Sequence, residues 1–246
     1  MFDPGCFADS VAGEIRRQGI SRLLDLGCGT GLQAIPILDR LGDVEYLGVD
    51  GSAAMISIFE RKLEARRAGG QCTELRAGVD LRMRAANGTL ASLNGGAVLM
   101  SQVLQYFPLD PMEETLSKRE MMARAVDLAG RGGRVFIVED VMGEDEREHA
   151  RLSAEWDGAV VAGYRDNLHR LRGALADVAP RYLDAIRMLV ERPAMMPTMR
   201  ERRRRTRGES ILRLSAWRGL LGELGRPFRL APHRYLGNFY LTVIEC

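Results

Sequence analysis

The sequence predicts a doubly wound α/β fold, a mostly parallel seven-stranded sheet with a C-terminal antiparallel hairpin and a helical insertion. Three observations predict it. Short apolar runs alternate with helix-periodic stretches through the first 140 residues, the pattern of parallel strands joined by crossover helices. A glycine-rich turn directly follows the first of those runs. Between the fifth strand and the last helix lie roughly 70 residues, 141–209, without a strand-like run.

Taken in order, SRLLDLG (21–27) reads as a buried strand and GLQAIPILDRLG (31–42) as the helix after it. Pro36 should distort that helix near its second turn. VEYLGVD (44–50) is the second strand; in the helix that follows (52–67), Ala54, Met55, Ile58 and Leu63 mark the apolar face. CTELRAGV (72–79) and GAVLMS (96–101) are strands three and four. A helix over 114–130 ends at a glycine, and RVFIVED (134–140) is strand five. SILRLSAWRGLLGELG (210–225) is the last helix, and the runs 228–234 and 238–246, joined by a tight YLG turn, form the hairpin. The chain thus divides into a core (1–140), the insertion (141–209) and a C-terminal segment that completes the core (210–246).

Composition excludes several classes. With 246 residues, 46% hydrophobic and 28% charged, the chain suits one large domain and not a disordered one. No stretch approaches the ~18–20 uncharged apolar residues of a membrane span, and the N-terminus has no basic start followed by an apolar run. Cys6, Cys28, Cys72 and Cys246 are scattered without a CxxC pair, so neither a disulfide scaffold nor a metal site is expected, and the cytoplasm is the expected compartment. The net charge of +2 does not advertise a nucleic-acid binder. It is unevenly spread, −3 over residues 1–140 and +5 over 141–246. Only Lys62 and Lys118 among the 35 basic residues are lysine.

The stretch Leu24-Asp25-Leu26-Gly27-Cys28-Gly29-Thr30-Gly31 carries the most information. Its glycines turn the backbone tightly and let a ligand lie against the main chain, at the carboxyl end of a strand, where α/β sheets place ligands. Asp50, at the end of strand two, is placed to accept hydrogen bonds from ribose hydroxyls. A dinucleotide fingerprint, G-x-G-x-x-G, would need its last glycine at Leu32. The spacing therefore argues against a nicotinamide cofactor.

These residues resemble the class I S-adenosylmethionine (SAM)-dependent methyltransferases, which have a Rossmann-like fold. LDLGCGTG is similar to that family's first motif and VDGS to its acidic second. GVDL (78–81) is similar to the adenine loop, LMSQVLQYFP (99–108) to the fourth-strand motif, and RGGRVFIVED to the fifth strand with its turn. The resemblance covers residues 21–140 and the terminal strands; the insertion lies outside it, and Gln105 stands where many relatives carry histidine. The resemblance implies SAM as cofactor, with Asp25 facing the methionine amino group and Gly27, Cys28, Gly29 and Gly31 forming the floor. Asp50 would hold the ribose, with Gly51 and Met55 against ribose and adenine. Val79, Asp80 and Leu81 would frame the adenine, and Ser101 and Gln102 the methionine tail. Met55 as plain helix core is the rival reading.

The implied reaction is an in-line displacement, for which alignment matters more than a catalytic pair. Tyr106 and His149 are the candidates for a group that touches the acceptor; Glu139 and Asp140 end strand five on the ligand side. Methylation of base amines is disfavoured, since SQVLQYFP stands where those relatives carry an Asn/Asp-Pro-Pro-Tyr/Phe loop. A small-molecule acceptor is the expectation, with the insertion as its lid. Two other classes compete: a SAM-binding scaffold or cyclase on the same fold, and an NAD(P)-dependent oxidoreductase. Leu168, Leu171, Leu175, Val178, Tyr182, Ala185 and Leu189 form a heptad-like seam, for packing within the domain or for a homodimer, with Pro180 splitting its helix. Six arginines within 200–207 suggest a clamp for an anionic acceptor, against a plain solvated turn.

Overall fold

The computed structural model describes residues 7–64, 73–110, 112–142, 146–175, 180–195, 211–232 and 239–246. Seven strands form one sheet: β1 (Arg22–Leu26), β2 (Glu45–Asp50), β3 (Thr73–Ala77), β4 (Ala97–Ser101), β5 (Arg134–Asp140), β6 (Phe228–Pro232) and β7 (Phe239–Glu245). Their order is β3-β2-β1-β4-β5-β7-β6. The first five are parallel, and β7 runs antiparallel to both β5 and β6. The turn read as YLG lies outside the described residues. Chain order reverses between β1 and β4, so their carboxyl ends open a crevice of the kind that holds ligands in such sheets.

Alternation along the strands sends side chains to two cores. Leu23 of β1 packs with α1 (Ala8–Arg17), α2 (Ala34–Leu41) and α3 (Ala53–Glu64) on one face. Leu24 and Leu26 pack with α5 (Lys118–Ala129) and α8 (Leu214–Gly222) on the other. A short helix, α4 (Arg84–Asn87), stands between β3 and β4. The interiors of the central strands β1, β4 and β5 are almost wholly apolar and buried, as parallel strands covered on both faces must be, while the edge strands β3 and β6 are largely exposed. Glu14 of α1 is buried and accepts from Arg229 at 3.0 Å, which ties the first helix to β6.

Two local expectations need correction. Pro36 does not distort α2: the helix begins at Ala34, later than its apolar pattern suggested, so Pro36 is its third residue. The first turn has no intrahelical N–H acceptors to lose. In α3 the core-facing residues are Ile56, Phe59 and, as expected, Leu63, while Ala54 and Met55 are exposed and Ile58 points elsewhere. Ile58 packs on Leu183 and Ile186 of the insertion, and the helix therefore has two apolar faces rather than one.

The insertion forms α6 (Glu146–Leu175) and α7 (Pro180–Glu191), followed by a single 3-10 turn. Pro180 ends the continuous heptad reading, as its missing N–H and fixed φ suit the first position of a new helix. Leu168 and Tyr164 join the cluster around Ile58; the side chains of Leu171, Leu175 and Tyr182, and all of Val178, lie outside the described residues. The two ends of the excursion are stitched together. Met142 N donates to Leu212 O at 2.8 Å and Leu214 N to Met142 O at 3.2 Å. The insertion thus leaves the carboxyl end of β5 through a closed neck and rests on α3, and those two elements flank β1 and β4. Among the described residues no helix is long and apolar enough to cross a membrane.

Candidate functional site

The glycine loop leaves β1 with φ values of +76°, +53° and +73° at Gly27, Gly29 and Gly31, a region that side chains disfavour. The reasons differ. A Cβ on Gly27 would lie 2.5 Å from Val103, and one on Gly31 would lie 2.3 Å from the Phe59 ring. Beside Gly29 the nearest atom is 4.0 Å away. Packing therefore requires two of the glycines, while the third presents its backbone to open space.

Two carboxylates flank this loop. Asp50 Oδ2 accepts from Gly29 N at 2.9 Å and Oδ1 from Ser52 N at 2.8 Å, so the acid at the end of β2 shapes the loop as well as facing it. Each oxygen keeps a further lone pair for a ligand hydroxyl. Asp25 is 2% exposed; its Oδ2 accepts from the Tyr46 hydroxyl at 2.8 Å, and Oδ1 has no protein partner. Burial, with the nearby Asp50 charge adding to it and Tyr46 opposing it, raises the Asp25 carboxyl to about 7. Gly48 pairs with Asp25 across β1 and β2, and it leaves room there for the Tyr46 hydroxyl and Cys28 Sγ. Cys28 is buried with its thiol pushed far up by burial, a packing residue and not a nucleophile.

The remaining residues singled out from the sequence fall into two groups. Val79 N donates to Asp50 O at 3.2 Å, and a Cβ on Gly51 would lie 3.7 Å from Val79 O, so the loops after β2 and β3 meet. Met55 stands 36% exposed beside them, which excludes the core reading of that side chain. Asp80 is gripped by Arg82, whose Nη2 lies 2.8 Å from Oδ2, and this hydrogen bond holds its carboxyl below the usual range. The Leu81 side chain is buried in the core. At the end of β4, Ser101 and Gln102 are half-buried, and Gln102 has φ +56°, a strained value for a residue with a side chain. Tyr106 is half-buried in the 3-10 turn Leu104–Tyr106. The His149 side chain, the hairpin residue His233 and the arginines of 200–207 lie outside the described residues.

Three contacts had no counterpart in the motif reading. Lys62 of α3 donates to Thr30 O at 2.8 Å and so braces the glycine loop from the side. Tyr46 holds Asp25. Lys118 and Glu139, 2% and 4% exposed, both hydrogen-bond the backbone of the turn after β4. Composition did hold a signal for two of them: Lys62 and Lys118 are the two lysines in an otherwise arginine-based chain.

A family model described as a methyltransferase domain matches residues 24–135, which span the glycine loop through the start of β5. That match covers just under half of the chain. Solved structures agree on the fold. The chain is similar to the CurJ carbon methyltransferase, with 17% identity and a TM-score of 0.53 over 92% of this chain and 48% of that one. Magnesium protoporphyrin IX methyltransferase from Synechocystis with bound SAM is similar at 16% identity and a TM-score of 0.53, over 97% of this chain and 78% of that one. An O-methyltransferase from neocarzinostatin biosynthesis, in complex with SAM and a naphthoic acid, matches with 14% identity and a TM-score of 0.51, over 98% of this chain and 56% of that one. Among curated proteins, a probable non-canonical nonribosomal peptide synthetase, CymA of Salinispora arenicola, is 32% identical over 146 residues. Those residues are 59% of this chain and 2% of that synthetase, and the chain spans about half the length of the CurJ enzyme.

Proposed function

We propose that this chain transfers the methyl group of SAM to a small-molecule acceptor. The observation that carries the reading is the pair of carboxylates, Asp25 and Asp50, set on either side of a positive-φ glycine loop whose middle glycine faces open space. SAM has a complementary set of groups. Its ammonium would satisfy the orphaned oxygen of Asp25, and its ribose hydroxyls would donate to Asp50. Gly27, Cys28, Gly29 and Gly31 form the floor, with Gly51 and Met55 against ribose and adenine. Val79, Asp80 and Leu81 frame the adenine, and Ser101 and Gln102 border the methionine tail. Leu32, where a dinucleotide fingerprint needs glycine, is 49% exposed, and this supports SAM over a nicotinamide cofactor.

Bound SAM supplies a methyl group on a positively charged sulfur. An acceptor O, N or C would take that carbon and release its own proton to solvent, while the electron pair of the broken carbon–sulfur bond would stay on sulfur. The chain's task is alignment. Tyr106, on the turn after β4, and His149, in the sequence of α6, are the groups we assign to contact with the acceptor. Likeness to a nonribosomal peptide synthetase, and to an enzyme holding a naphthoic acid, favours an acceptor from secondary metabolism. The insertion acts as the lid, since its neck and its resting place on α3 flank the crevice.

Incubation with isotopically labelled SAM and extracts of small metabolites tests the reaction. One labelled methyl gained by a discrete metabolite is the expected result; no transfer to any component, with SAM left intact, counts against it. In the same preparation, amide exchange over 146–175 and 180–191 should slow when SAM and acceptor are present.

Affinity for the demethylated product, SAH, should depend on pH. An ammonium pairs with the ionised form of Asp25, so affinity should fall about tenfold per unit below pH 7, and Asp25→Asn should abolish the slope. Stability of the ligand-free protein has the opposite sign. A carboxyl raised above its unfolded value stabilises the fold fully below the unfolded value of 3.8 and loses that contribution as pH rises through about 7. Calorimetric SAH affinity that is flat from pH 5 to 8 would exclude the Asp25 role.

A further inference from the structure

Lys118 and Glu139 are not needed to complete the elements they stand on. Lys118 is the first residue of α5, where a cation opposes the helix dipole. That helix start is already closed by a capping box between Ser117 and Glu120. Glu139 stands one residue before the end of β5, in a strand whose other interior side chains are apolar. Both charges are buried, and burial pulls the lysine below and pushes the glutamate above their ordinary ranges despite their mutual attraction.

The two charges converge on a single residue. Glu139 Oε1 accepts from Leu104 N at 2.7 Å, and Lys118 Nζ donates to Leu104 O. Both backbone groups of Leu104 are thus taken by opposite charges from two different elements. Two buried charges gain little stability over apolar side chains of similar size, so stability does not explain them. Placement does. Leu104 directly follows Gln102, which is held at φ +56°, and Val103, whose methyl group fills the space over Gly27. Gln102 N donates to Val138 O at 2.8 Å, and Gln105 Nε2 donates back to Gln102 O at 3.1 Å. Together with Gln105, Leu212 and Trp217 the two side chains line a small cavity of about 10 Å³ at the neck of the insertion.

We propose that Lys118 and Glu139 are positioning residues of the methyl-transfer site, which grip Leu104 from both sides and so fix the turn after β4 between the glycine loop and the cavity. This rests on the reading of the chain as a SAM-binding enzyme. It assigns the second lysine a role parallel to the first: Lys62 holds the carbonyl of Thr30 on one wall of the crevice, Lys118 that of Leu104 on the other. A compact ammonium on a flexible stem reaches a buried carbonyl where a planar guanidinium would not fit.

The test measures SAH affinity by calorimetry, thermal unfolding, and the Leu104 amide proton by NMR in the full chain. Three proteins are compared: wild type, Glu139→Gln and the double variant Lys118→Met/Glu139→Leu. The double variant buries neither of these charges but leaves the Leu104 N–H without its acceptor, so it should still fold and melt within roughly 10 °C of wild type. Its SAH affinity should nevertheless fall at least tenfold, and the Leu104 amide resonance should lose the downfield position of a hydrogen bond to a carboxylate. A double variant that folds and binds SAH as wild type does would show a merely structural pair and overturn the proposal. Should that variant not fold, Glu139→Gln decides, because the carboxamide keeps the shape and an acceptor oxygen but not the charge; undiminished SAH binding there overturns the proposal equally. Wild-type protein that binds no SAH would instead overturn the functional reading, and this proposal with it.

Discussion

Replacing Asp50 by alanine should weaken SAH and SAM binding a hundredfold or more. The carboxylate holds Gly29 N at 2.9 Å and Ser52 N at 2.8 Å, so its removal frees the middle of the glycine loop as well as the proposed ribose anchor. A hydrogen bond to a charged group contributes about 1.5–3 kcal/mol. Losing even two of these at the lower end corresponds to roughly a hundredfold in affinity. Asp50→Asn should fall between alanine and wild type, since one oxygen still accepts while the amide nitrogen cannot. Calorimetry with SAH measures all three, and wild-type affinity in the alanine variant would refute the assignment of this acid to the cofactor.

The second large effect concerns stability and separates two glycines of one loop. Gly31→Ala should destabilise the fold by about 2–5 kcal/mol, the sum of a left-handed backbone penalty of about 1–2 and an overpacking cost of about 1–3. The added methyl would lie 2.3 Å from the ring of Phe59. That ring is fully buried and stands edge-on to Tyr46, with centroids 5.9 Å apart, and Tyr46 in turn holds Asp25. It has nowhere to retreat. For a chain of this size the loss should lower Tm by roughly 5–20 °C. Gly29→Ala faces open space, so it should cost only the backbone term, a few degrees, while reducing SAH binding more than any effect on Tm suggests. Thermal unfolding and calorimetry on the two variants give the comparison; equal losses of stability would show that the loop is packed on both sides and has no face for a ligand.

The glycine loop and Asp50 were legible in the sequence because their causes are local. A strand, three alternating glycines and an acid at the end of the next strand are short-range patterns, and the backbone conformations they demand are set within a few residues. The same holds for the five parallel strands and the C-terminal pair, each of which declares itself by a run of apolar residues between turns. Pro36 was misjudged for a related reason: propensity locates a helix but not the residue at which its first turn begins, and that residue was decided by the length of the glycine loop.

Tertiary structure alone decided the rest. Periodicity marked Ala54, Met55, Ile58 and Leu63 as one face of α3. Leu63 does pack on the core with Ile56 and Phe59, but Ala54 and Met55 are exposed and Ile58 finds its partners in the insertion, about 130 residues away in sequence. Nothing local joins Met142 to Leu212, Tyr46 to Asp25, or Lys118 and Glu139 to Leu104. Those partners are brought together when strands pair and helices pack, and their charges and hydroxyls matter only once water has been excluded from between them. Sequence by itself determined which backbone turns and which acid a cofactor of this kind would meet. Which side chains brace those turns was determined by burial, a property of the folded chain and of no segment within it.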